Sequence, residues 1–174
     1  MTDVVYPLLI DLHALAALLG AGIALFAEYG RVRALADGVM DEHERVYLTR
    51  LGRALAASVL ALLIVNPLLA LLEYGSPFGS ERVLTAAFWF ENTLILFIIF
   101  DLWLMAKRYV PLWFGGAVSL SGYLGILLLT FFGGVGLGYF GMCVLYAVGV
   151  FVTGGVLEYA HILTRTYVPK DSPS

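Results

Sequence analysis

The sequence predicts an all-α fold: a membrane-embedded bundle of five helices forming one transmembrane domain over residues 1–174. Two observations carry this expectation. Of the 174 residues, 61% are hydrophobic and 13% charged, whereas an ordinary soluble domain is about 25% charged. The apolar residues also fall into five segments, each near the roughly 20 residues needed to cross a hydrocarbon layer about 30 Å thick. This composition excludes a soluble enzyme. A net charge of −3 without a basic cluster excludes a nucleic-acid surface, which needs grouped Lys and Arg.

The first segment, 5–28, follows MTDVVYP, which lacks the basic start of a secretory signal, and no small-residue cleavage site follows it. A retained helix is expected. Residues 29–53 form the main polar stretch, expected as a cytoplasmic loop. Within it, Asp41 and Glu44 have the spacing of a capping box, so a short helix should start there and run into segment two, 54–73. Asn66-Pro67 loosens the hydrogen-bond ladder of that segment and predicts a kink. The YGSPFGS run at 74–80 separates segment two from segment three, 84–106. Segment four, 112–132, is parted from segment five, 139–163, by the glycine-rich GGVGLGYFG, which predicts a helical hairpin with a short connection.

Positive charge sets the expected orientation. Arg31, Arg33, Arg45, Arg50, Arg53, Lys107, Arg108, Arg165 and Lys170 fall on one side of a five-span topology, and Arg82 alone on the other. Because short cytoplasmic loops collect Lys and Arg, the N-terminus is expected outside and the C-terminus in the cytoplasm, in a cell inner (plasma) membrane. Trp89, Trp103, Trp113, Tyr109 and Tyr139 lie near predicted helix ends, where amphipathic rings prefer the interface.

An ionisable side chain is expensive inside a bilayer and marks a candidate site. Two groups stand out. His13 and Glu91, with Asp11 and Asn92 nearby in sequence, belong to the outer half; no Lys or Arg shares their depth, so a buried Glu91 would be protonated, bonded to His13 or ligated by a cation. This pair is the candidate cofactor-binding site, for a proton or a metal ion, with a purely structural His–Glu hydrogen bond as the alternative. Glu28, Asp101, Glu158 and His161 form the inner candidate, a metal site. Glu158 and His161 make an E-x-x-H pair on one helix face, and with Glu28 and Asp101 they would supply a hard O/N set suited to iron, manganese or zinc. At about 100° per residue, His13 and Glu28 share one side of segment one, with Asp11 nearly opposite His13, and Glu91 and Asp101 share one side of segment three. The structural alternative is that Arg50, Arg53 and Lys107 pair with the inner acids at the membrane boundary. A heme b held by two histidines needs them at one depth, which His13, His161 and His43 do not offer; His–Met ligation, by His13 with Met142 or His161 with Met105, remains open.

Small residues suggest packing faces. Gly115, Ser119 and Gly122 recur along segment four, and Cys143, Ala147 and Gly154 along segment five. They are expected to pack four against five, with a homo-oligomer seam or a membrane-complex partner as the alternative. Cys143 is the lone cysteine, so an internal disulfide is excluded and a packing role expected.

The stretches DLHALAALLGAGIALFAEYGRVRALADG, IIFDLWLMAKRYVP and SLSGYLGILLL resemble bacterial inner-membrane proteins of the CopD and HemJ type, His-bearing helical bundles. The resemblance implies copper handling or heme-related oxidation. Segment one lacks the arginine of the HemJ pattern, and no catalytic residue is carried over. The leading expectation is therefore binding or transport of a cation, either a metal ion (iron, manganese, zinc or copper) or a proton. A heme-binding redox protein and a non-catalytic assembly subunit are the alternatives.

Overall fold

The computed structural model describes residues 2–34, 41–74, 85–133 and 136–167. They form five helices: α1 (Thr2–Ala34), α2 (Glu42–Tyr74), α3 (Ala86–Ala106), α4 (Leu112–Phe132) and α5 (Tyr139–Tyr167). All five are long and apolar enough to cross a membrane. Five such helices point to a multi-pass helical membrane protein. Its outward surface agrees, since Phe140 and Phe151 are each 80% exposed, an arrangement that water would penalise and lipid accepts.

Helix boundaries follow local chemistry. The expected loop at 29–53 is mostly helical, because α1 continues to Ala34 with Arg31 and Arg33 in its last turn, and α2 begins at Glu42 with Glu42 and Glu44 in its first. Those charges suit the opposite ends of the two helix dipoles. As the spacing predicted, Glu44 reaches back to accept from the Asp41 N–H at 3.1 Å, and α2 then runs 33 residues without a break. At about 1.5 Å per residue, α1 and α2 are each near 50 Å long and reach beyond a hydrocarbon layer. The YGSPFGS segment lies outside the described residues after Tyr74.

Helix α3 is capped by Thr85, whose hydroxyl accepts from the Phe88 N–H at 3.2 Å. Replacing Thr85 by Ala is expected to lower stability by about 1 kcal/mol, read from reversible unfolding in micelles, while Thr85→Ser should restore it. Helix α3 closes with the Tyr109 N–H bonded to the Leu104 carbonyl and Arg108 at φ 58°, and Pro111 then caps α4. The α4–α5 turn appears where the glycines predicted it: Gly133 and Gly136 both have positive φ, 65° and 66°, a backbone state open to glycine at little cost.

Helix α1 packs along α2 and also against α4, α3 lies between α2 and α4, and α5 stands at the edge, chiefly against α4. The core is built on close approach. Gly20 of α1 lies directly on the Tyr123 ring of α4, and Tyr123, fully buried, donates to the Leu55 carbonyl of α2 at 2.8 Å. Ser58 of α2 donates to the Ala16 carbonyl of α1, also at 2.8 Å. Around this knot pack Ala17, Ala24, Leu62, Leu94, Ile98 and Ile126. Trp89 and Tyr139 are exposed near one end of the bundle, and Trp103, Tyr109 and Trp113 near the other, which also carries the arginines of α1 and α2. This is the basic end of the bundle.

The small residues of α4 serve α3 more than α5. A side-chain carbon at Gly122 would meet Ile98 of α3, one at Gly115 would meet Met105 and Asp101 of α3, and Ser119 bonds Asp101. On α5, Gly154 lies near Ala117 and Trp113 of α4, Cys143 is half-buried against the core, and Ala147 is exposed. The four-against-five stripe expected from spacing is therefore shared between two neighbours, because α3 is the closer one.

Candidate functional site

His13 belongs to the buried face of α1 that also carries Ala16, Ala17, Gly20 and Ala24. These small side chains let α2 and α4 come close, and His13 and Glu28 are the large polar groups at the two ends of the face. Glu91 lies on the buried face of α3 with Phe90, Leu94, Ile95 and Ile98. The two side chains meet across the bundle: His13 Nε2 lies 2.6 Å from Glu91 Oε1, with the residues 3% and 5% exposed. Both line a pocket of about 540 Å³ together with Ile10, Leu69, Thr130 and Gly133, at the end of the bundle away from the arginines. The pair brings an imidazole nitrogen and a carboxylate oxygen, two groups that bind and release protons, to the wall of a space that a small solute can enter. Tyr6 donates to Glu73 at 2.7 Å at the same end, joining α1 to α2.

Toward the basic end, Glu28 and Asp101 are both buried, 6% and 4% exposed. Glu28 is ion-paired with Arg31 one turn along α1, and Asp101 accepts from Ser119 Oγ at 2.6 Å. Helix α4 passes both acids: the Glu28 carboxylate sits against Gly116, and Asp101 Oδ1 lies 3.2 Å from where a carbon on Gly115 would stand. The Gly115-Gly116 step is what gives the acids room. Arg50, Arg53 and Lys107 are exposed, so the neutralising cation for Glu28 is Arg31 instead. The i, i+3 spacing of Glu28 and Arg31 carried that signal in the sequence.

The other two inner candidates stand apart. Glu158 is exposed on α5 and His161 is half-buried, while a groove of about 410 Å³ lined by Glu28, Val156, Leu157 and Ala160 parts α5 from α1. Among the described residues, no three His, Cys, Asp or Glu side chains come together as a metal would require. The set of Glu28, Asp101, Glu158 and His161 is thus not assembled as one ligand group. Asp11 is exposed on the side of α1 away from His13, and Asn92 is turned back to its own helix, donating to the Phe88 carbonyl at 2.8 Å. A bis-histidine heme does not fit either, because His13 and His161 lie toward opposite ends and His43 is exposed at the start of α2. Met142 is packed in the core and does not line the pocket that His13 lines.

One buried polar residue was expected only to mark a kink. Asn66 is 0% exposed, and neither of its amide atoms has a hydrogen-bond partner among the described residues. No protein family, curated protein or solved structure matches this chain.

Proposed function

We propose that this protein is a multi-pass component of a bacterial inner membrane that binds a cation and passes it on, and that the cation is a proton. The basic end faces the cytoplasm in this reading, and the His13–Glu91 pocket faces outside. The observation that carries it is the buried His13–Glu91 contact at 2.6 Å on the wall of an enterable pocket. Two titratable atoms at that separation share one hydrogen, so accepting a proton from the pocket and yielding it needs no rearrangement of the helices. A metal ion would need further ligands, and the described residues bring no third His, Cys, Asp or Glu to the pair. Glu28 and Asp101 form the second acidic station, 15 and 10 residues farther along α1 and α3, or about 22 and 15 Å at helical rise. Ala17, Ala24, Leu94 and Ile98 occupy the interval.

The test is proton movement in sealed liposomes carrying the purified protein and an internal pH dye, with an imposed pH step. Wild type should dissipate the step faster than empty vesicles, and His13→Leu or Glu91→Gln should return the rate to that of empty vesicles. Wild-type vesicles indistinguishable from empty ones in both directions of the gradient would overturn the reading.

A further inference from the structure

Asn66 and Asn92 are the only asparagines in the chain, which has no glutamine, and the two behave oppositely. Asn92 satisfies its amide on the carbonyl one turn back in its own helix, as Thr93 and Thr130 do with their hydroxyls. Asn66 makes no such bond within α2; its amide is fully buried with donor and acceptor both unbonded among the described residues. Such a group is costly in an apolar interior unless something polar meets it.

Its location says what that is. The Ser58–Ala16 and Tyr6–Glu73 bonds fix the register of α2 on α1, and interpolation between them sets Asn66 level with the Ile10–His13 turn. Asn66 shares the buried face of α2 with Leu62 and with Leu69, one turn toward the pocket, and Leu69 lines that pocket beside Ile10 and His13. We propose that Asn66 is the third member of the His13–Glu91 site and holds a water molecule at the inner end of the pocket. A cation would satisfy only the amide oxygen and leave the N–H₂ group unbonded; water accepts from Nδ2 and donates to Oδ1, so it answers both atoms. Water there would extend the hydrated space of the pocket sideways toward α2 at the depth of the pair, giving the proton a further acceptor at that level. This deepens the proton reading, but its first test does not depend on it.

Labelling the full-length protein with ¹⁵N-asparagine gives two side-chain amide signals, and Asn92→Ala identifies the one that belongs to Asn66. In liposomes, magnetisation transferred from water should reach the Asn66 amide at mixing times that leave core backbone amides of α1 and α2 dark. An Asn66 amide as dark as those backbone amides overturns the proposal. The second arm is Asn66→Leu, close in volume and without polar atoms. It should fold at least as stably as wild type and slow the proton flux, whereas Asn66→Ser, which can still bond water, should retain more of it. Unchanged flux in a folded Asn66→Leu protein would refute the role in the site. If wild type moves no protons yet its Asn66 amide receives magnetisation from water, the proton reading fails and the water site stands.

Discussion

Glu91→Leu is expected to destabilise the protein by about 3 kcal/mol, and His13→Leu by a similar amount, while the double variant His13→Leu/Glu91→Leu should return to within about 1 kcal/mol of wild type. The asymmetry follows from burial. The pair joins α1 to α3 with both residues about 95% removed from the surface (3% and 5% exposed), so deleting one side leaves the other buried polar group without its protein partner. Deleting both leaves two apolar side chains where two polar ones had satisfied each other, and the outward balance is small. Unfolding in mixed micelles, followed by helix content, measures all four corners of the cycle. The double variant is also the sharpest functional control, because it should be folded and carry no protons. If Glu91→Leu alone is as stable as wild type, the 2.6 Å contact does not hold these helices together and the site described above is not formed.

The second large effect is expected at Gly20. Even the single carbon of Gly20→Ala would overlap the Tyr123 ring and stand 2.6 Å from Ser58 Oγ. Neither neighbour can yield freely, since Tyr123 is tied to Leu55 and Ser58 to Ala16. Gly20→Ala should therefore cost about 2 kcal/mol through overpacking, and Gly20→Val more. Gly22, two residues along the same helix, has nothing within 4 Å of its would-be side-chain carbon. Gly22→Ala should be neutral or gain up to about 1 kcal/mol from helix propensity. Equal effects at the two glycines would contradict the close α1–α4 approach at the centre of the fold.

The two inner acids show where reading along the chain falls short. Glu28 and Asp101 were singled out because each is a charge in an apolar run, and both are buried. Glu158 and His161 start the inner set because i, i+3 spacing puts them on one face of one helix, but spacing within α5 does not tell which neighbour that face meets. Helix α5 turned out to be the edge element, and Glu158 is exposed. Arg31, the true partner of Glu28, is the converse case: its contact is local to one helix and could be read from three-residue spacing. Asn66 gave a signal in the sequence, a polar residue in an apolar span, which its neighbour Pro67 drew toward a kink.

What the sequence determined by itself is everything governed by periodicity, length and local backbone chemistry: five apolar spans, the capping box at Asp41 and Glu44, the glycine turn after α4, and a His and a Glu on interior faces of α1 and α3. These depend on residues within a few positions of one another. Which faces meet was decided only by the tertiary structure. In a chain that is apolar all round, hydrophobicity does not distinguish the face toward a neighbouring helix from the face toward lipid. That choice rests on shape and on a few polar bonds, namely the approach of Gly20 to Tyr123, the room that Gly115 and Gly116 leave for two carboxylates, and the hydrogen bond that brings His13 to Glu91 across 78 positions of sequence.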